Sequence, residues 1–212
     1  MATLHGMNIL ITAGPTREYI DTVRFLSNAS SGRMGAAVAH AAIDAGHQVT
    51  LLLGPVSVPV PDGCHVVPFV SCDDLQAALD EHFSAADVLV MAAAVGDFRP
   101  ERTYPSKLHR RNGPITVRLY PTEDILASLG ERKRPDQRIV SFSVEDGRRE
   151  QVEQKARREM ASKNADFCVV NPPAAMDATE SEAFILTPTG TALPPATRPK
   201  DDLAREIIRL LG

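Results

Sequence analysis

The sequence predicts one α/β domain built on a doubly wound, mostly parallel sheet. Three observations lead there. Apolar, β-prone runs alternate with helical patterns along the whole chain. Two of those runs, VLVMAAAV and FCVV, are continuously apolar, as strands covered on both faces must be. The chain of 212 residues, 43% hydrophobic, suits one well-buried core and is short for two.

In chain order the pattern gives a strand at 8–12, a helix at 33–45, a strand at 48–53, a helix at 73–82 and a strand at 88–92. After an interruption it resumes with a strand at 139–142, a helix at 151–161, strands at 166–170 and 183–187, and a helix at 201–211. The interruption, residues 99–119, is polar and rich in Arg and Pro and ends in the alternating ITVRLY. It reads as a protruding arm, a loop plus one extended strand, rather than a second domain. Residues 171–182 read as a mobile loop.

A net charge of −4 with interspersed signs does not advertise nucleic acid or membrane as the main partner. With no Trp and three Tyr, base stacking on single strands has little support. No signal-like or membrane-spanning stretch is present, which predicts a cytoplasmic protein. Cys64, Cys72 and Cys168 form no CxxC pair and read as reduced, structural thiols.

The connection after the first strand is far longer than the ordinary ~2 to 6 residues, which marks it as functional. It ends in Ser30-Ser31-Gly32, read as the first turn of the following helix. Backbone N–H groups, two hydroxyls and the helix dipole there suit a phosphate. Alternatively, Ser30 only caps the helix while Gly32 and Gly35 permit close packing. The pattern is neither G-x-G-x-x-G nor G-x-x-x-x-G-K-[ST], which removes the main support for a dehydrogenase.

The stretch TAGPTREYIDTVRFLSNASSGRMG resembles the TxGGTxExIDxVRxIxNxSSGxMG signature of the phosphopantothenoylcysteine synthetases. GDFRP resembles that family's AAVADxRP with Gly96 for Ala, and YPTEDIL its TPDIL with Glu123 for Pro. VSFSVED stands at VGFAAET, and EQKARREMASKNADFCVVNP at AxxKLxxKxxDxIVAND, so the likeness covers nearly the whole chain. It implies a Rossmann-like fold and ligation of 4′-phosphopantothenate to L-cysteine through an acyl-nucleotide, with CTP or ATP and Mg2+. CTP, and hence an acyl-cytidylate, is the nucleotide favoured. The alternative is a nucleotide-binding paralogue that keeps the fold with lost or altered activity. Many relatives fuse this domain behind a flavin-dependent decarboxylase. This chain reads as a stand-alone synthetase or an excised domain, with no FMN expected.

The resemblance assigns roles residue by residue. Asn28 stands beside the acyl-nucleotide, where a neutral amide can donate to an acyl oxygen gaining charge; by itself it would be read as a turn residue. Lys107, in PSKLHRR, is the second catalytic candidate, stabilising phosphate or acyl oxygens, although an exposed Lys more often only solvates a loop. Nucleotide contacts are implied at Gly14, Ser30, Ser31 and Gly32. They are implied further along at Ala94, Asp97, Asp124, Phe142 and Lys163. Asp97 either accepts from a ribose hydroxyl, helps hold Mg2+ or caps a turn; Phe142 packs on base or sugar, or in the core. Thr122 reads as the cap of a helix with Asp124 in its first turn. Substrate contacts are implied at Arg24 and Asn171, Arg24 being alternatively a salt-bridge partner.

Arg110 and Arg111 stand where the family prefers Lys, Glu159 where it has a Lys reaching the triphosphate, and Pro172 where it has Asp. Loss of that cation implies weaker nucleotide binding unless Arg157 or Arg158, on the same helix, takes its place. The resemblance further implies that the arm pairs with that of a second copy, residues 115–119 supplying the strand, in a homodimer with sites near the interface.

Overall fold

The computed structural model describes residues 6–110 and 113–212; Arg111 lies outside them. An eight-stranded sheet runs in the order β12-β11-β10-β9-β6-β1-β4-β5. Its parallel part is β1 (Asn8–Ala13), β4 (Gln48–Leu53), β5 (His65–Pro68), β6 (Val88–Met91), β9 (Arg138–Val144) and β10 (Phe167–Asn171). The antiparallel strands β11 (Glu180–Thr187) and β12 (Gly190–Pro199) extend one edge. From β1 the chain builds towards β4 and β5, then returns to lay β6, β9 and β10 on the other side, so β1 and β6 flank a topological switch point.

Strand alternation sorts the side chains into two cores. Ile9, Ile11, Val88, Val90, Val140 and Val169 face α1 (Arg33–Asp44) and α5 (Lys200–Leu211). Leu10, Leu89, Ile139, Cys168 and Val170 face α2 (Cys72–His82), α3 (Ile125–Glu131) and α4 (Arg149–Ser162). The doubly wound reading therefore stands. No described helix is long and apolar enough to cross a membrane.

The structure corrects several local expectations. The long first connection is a hairpin, β2 (Arg17–Tyr19) against β3 (Phe25–Ser27), which the sequence analysis did not see. Residues 30–32 are outside α1, because Gly32 takes φ 75° and the helical hydrogen bonds start with Ala36 N–H donating to Gly32 O. In α3 the cap is Asp124, which accepts from Ala127 N–H, while Thr122 Oγ1 donates instead to Gly96 O at 2.7 Å. Residues 115–118 form no strand. Only β8 (Leu119–Pro121) does, and it pairs within its own chain with β7 (Phe98–Pro100). Pro100 and Pro121 lie at opposite ends of that ladder and offer no N–H to extend it. The loop expected over 171–182 is shortened by a 3-10 turn at Pro173–Ala175 and by β11 beginning at Glu180.

Cys72 and Cys168 are buried and unpaired, and burial pushes both thiols up to about 11, which fits structural thiols.

Candidate active site

The C-terminal ends of β6, β9 and β10 open into a cavity of about 690 Å3 beside the switch point. Ala92, Ala93 and Ala94 form its floor, held flat by Ala93 N–H donating to Thr12 Oγ1 at 3.0 Å and Ala94 N–H to Gly14 O at 2.9 Å. Small side chains there leave room for a flat ligand against the backbone.

One wall is the segment from β3 into α1. Asn28 Nδ2 donates to Val95 O at 2.8 Å, which fixes the amide and leaves its second N–H for a ligand. Ser30 and Gly32 follow on the same wall. Gly35 lets α1 lie close on β1, since a Cβ there would stand 2.4 Å from that of Ala13. Among the described α-helices, α1 alone has neither a side-chain cap nor an acid in its first turn. Its free N–H groups and dipole are thus left for an anion.

The opposite wall comes from the arm and α3. Asp97, Glu123 and Asp124 bring carboxylates, and Lys163, at the end of α4, reaches Asp124 Oδ2 at 3.5 Å. Phe142, half-buried on β9, and Asn171, whose Nδ2 donates to Pro172 O, close the side. Arg33 and Lys200 complete the rim from α1 and α5. The cavity is therefore polarised, with its acids on the α3 side and unpaired cations on the α1 and α5 side.

Nine implied residues meet here: Asn28, Ser30, Gly32, Ala94, Asp97, Asp124, Phe142, Lys163 and Asn171. Four do not. Gly14 sits beneath the floor, where it supports Ala94 and where its φ of 86° and the proximity of Gly54 demand glycine. Ser31 turns outward, donating to Met176 O at 3.2 Å and lining a neighbouring cavity of about 760 Å3. Arg24 pairs with Asp21 and donates to Leu108 O, so within this chain it is the salt-bridge partner. Lys107 is exposed on the arm and outside the cavity.

Asp21 joins hairpin to arm. Burial would raise its pKa, but the N–H groups of Leu108, Val23 and Arg24, with the Arg24 guanidinium, hold it well below the usual carboxylate range. A depressed carboxylate stabilises the fold above its unfolded pKa and loses that contribution as pH falls through the folded value, so this junction weakens only in strong acid.

The departures from the family pattern also have places. Glu159 accepts from Ser143 Oγ at 3.4 Å and lies 3.9 Å from Lys155, away from the cavity lining. Arg157 does not substitute for it, being held by Glu153 and Thr187 O. Pro172 starts the 3-10 turn. At Gly96 a Cβ would stand 3.2 Å from Thr16 Oγ1 and 3.7 Å from Phe98 O. Gly96→Ala is therefore expected to melt within ~2 °C of the parent. A melting curve checks this, and a larger loss would show that the glycine is required for the packing against Thr16.

Arg33 and Lys200 were missed by the sequence analysis. The signal was present at Lys200: a cation opening a helix, in RPKDD, opposes the dipole that the next two Asp satisfy.

Fold and site define a doubly wound α/β domain with an anion-facing ligand cavity at its switch point. More narrowly, the chain belongs to the DNA/pantothenate metabolism flavoprotein C-terminal domain family, which it matches over residues 4–212. It is 42% identical over 171 residues to the coenzyme A biosynthesis bifunctional protein CoaBC of Bacillus subtilis, covering 80% of this chain and 41% of that one. Against the Mycobacterium tuberculosis CoaBC the figures are 39% over 199 residues, 89% and 48%. The chain thus spans about half the length of these curated relatives or less. The crystal structure of a CoaBC C-terminal domain superposes with a TM-score of 0.80 at 34% identity, covering 98% of this chain and 95% of that one.

Proposed function

We propose that this domain ligates 4′-phosphopantothenate to L-cysteine at the expense of a nucleoside triphosphate, in coenzyme A biosynthesis. The observation that carries the reading is the convergence on one cavity wall of the Asn28 amide, Ser30 and the uncapped start of α1, facing a flat floor and Phe142. The family supports it, as do the names of its CoaBC relatives.

The substrate carboxylate attacks the α-phosphorus, pyrophosphate leaves, and a mixed acyl-nucleotide anhydride remains. The cysteine amine then attacks the acyl carbon, loses a proton, and expels the nucleoside monophosphate. Asn28 donates its spare N–H to the acyl oxygen as charge gathers there, and Phe142 packs against base or sugar. Asp124 and Lys163 stand at the nucleotide side of the cavity, and Asn171 at the substrate. Among the described residues no three or more His, Cys, Asp and Glu are grouped so that they could hold a metal ion by themselves. Mg2+ would therefore be held mainly by phosphate oxygens, with Asp97 as the protein carboxylate. CTP is the favoured nucleotide over ATP.

Lys107 and Arg24 enter the reaction across a homodimer. Phe98, Ile115, Leu119 and Tyr120 are exposed large apolar side chains on and beside the arm, which a second copy would cover. Cytoplasmic placement follows from the substrates. The other reading, a nucleotide-binding paralogue without ligase activity, draws on Glu159, where the family carries a cation.

Pyrophosphate release with CTP or ATP, 4′-phosphopantothenate and cysteine is the test. Release stoichiometric with amide is expected. Nucleotide binding without release would favour the paralogue, and neither binding nor release would end both readings.

A further inference from the structure

Lys200 is 7% exposed and is the first residue of α5. Its Nζ makes one long hydrogen bond, 3.4 Å to Met176 O, and no described carboxylate lies within 4 Å of it. Three effects oppose a charge there: burial, repulsion from Arg33, and the positive end of its own helix; Asp177 offsets them only from a distance. A methionine would fill the same space without those costs. Lys200 lines the cavity together with Arg33 and Ser30, at the border with the neighbouring cavity of about 760 Å3 that the same three residues also line.

The layout of charge sets what can sit there. Lys163, on the other flank of the sheet, is already paired with Asp124, so it offers less free positive charge than Lys200 and Arg33 do. A polyanion lowers its energy by running towards α1 and α5. In an in-line displacement at phosphorus the leaving group extends away from the attacking oxygen. With the carboxylate beside Asn28, the departing phosphates extend along the start of α1 towards Lys200.

We infer that Lys200, assisted by Arg33, holds the two terminal phosphates of the nucleoside triphosphate, the portion that leaves as pyrophosphate; this rests on the nucleotide-dependent ligation proposed above. Lys200 thereby acts on triphosphate and pyrophosphate but not on the base, ribose or α-phosphate.

Calorimetric titration of the wild type, Lys200→Met, Lys200→Arg and Arg33→Gln with CTP, CMP, ATP, AMP and 4′-phosphopantothenate tests this, with melting curves taken alongside. Lys200→Met is expected to melt higher than wild type without ligand, to lose about thirtyfold in triphosphate affinity, or about 2 kcal/mol, and to keep its monophosphate affinity. Lys200→Arg is expected to retain most of the preference for triphosphate. Arg33→Gln, on an exposed side chain that does not threaten folding, is expected to show the same selective loss in smaller measure. Equal loss for mono- and triphosphate, no loss, a loss confined to 4′-phosphopantothenate, or a Lys200→Met protein that melts lower would each overturn the assignment. If the wild type binds neither CTP nor ATP, the ligation reading fails and this one with it. If the wild type binds and Lys200→Met binds equally well, only the role of Lys200 fails.

Discussion

Asn28→Asp is expected to slow amide formation about 10²- to 10³-fold while the protein remains folded. The exposed amide is tied to the fold by one hydrogen bond, to Val95 O, whose loss costs about 1 kcal/mol. Its second N–H is the one donor aimed at the reacting acyl oxygen in the proposed chemistry. An aspartate has no N–H to offer and adds a negative charge beside a carboxylate and a phosphate. Both effects act on the transition state, so kcat should fall more than the KM for nucleotide rises. Asn28→Ala, which removes the donor without adding charge, should lose less. Quenched-flow measurement of amide, with a melting curve for each variant, checks the pair, and an unchanged rate in Asn28→Asp would remove Asn28 from the catalytic machinery.

Lys107→Gln is expected to depress turnover about 10²-fold, for a reason that depends on a second subunit. Lys107 is exposed and outside the cavity of its own chain. If it acts, it acts on the cavity of a neighbour. An equal mixture of Asn28→Asp and Lys107→Gln subunits, unfolded together and refolded, should then regain activity. Half of the random dimers are mixed, and each mixed dimer has one site with both residues intact, which predicts about a quarter of wild-type turnover. A Lys107 working within its own chain would give a mixture no better than the two variants alone. Wild-type activity in Lys107→Gln itself would reduce Lys107 to surface charge.

How legible these features were depended on the physical range of each signal. The parallel strands other than β5, and four of the five helices, follow from burial on one face or two, which writes a periodicity into neighbouring residues; β5, at the sheet edge with His65, Val66 and Pro68 exposed, carries no such pattern. Strand β12 was hidden because it is an edge strand, where Pro194, Pro195 and Pro199 are tolerated and the pattern reads as loop. The hairpin of β2 and β3 was hidden because its stability is not local. Asp21 fixes its turn, Ser27 Oγ donates to Thr16 O, and Glu18 accepts from Cys72 N–H far along the chain.

In the site, Asn28, Ser30, Gly32 and Asp97 lie in motifs and were readable there. Gly14 and Ser31 lie in the same motif but outside the lining of this cavity, a distinction that depends on which way each residue faces. Lys200 could not be placed from the sequence, because only the folding of β11 and β12 back along the sheet brings the start of α5 to the mouth of the parallel strands.

The account rests on activation of a carboxylate as an acyl-nucleotide within this cavity. The most direct test uses 4′-phosphopantothenate labelled with oxygen-18 in its carboxyl group, turned over with cysteine and CTP or ATP, the phosphorus products being read by mass. Attack of the carboxylate on the α-phosphorus carries one label atom into the nucleoside monophosphate, which is the predicted result. Label in inorganic phosphate, or unlabelled monophosphate alongside amide product, would contradict it.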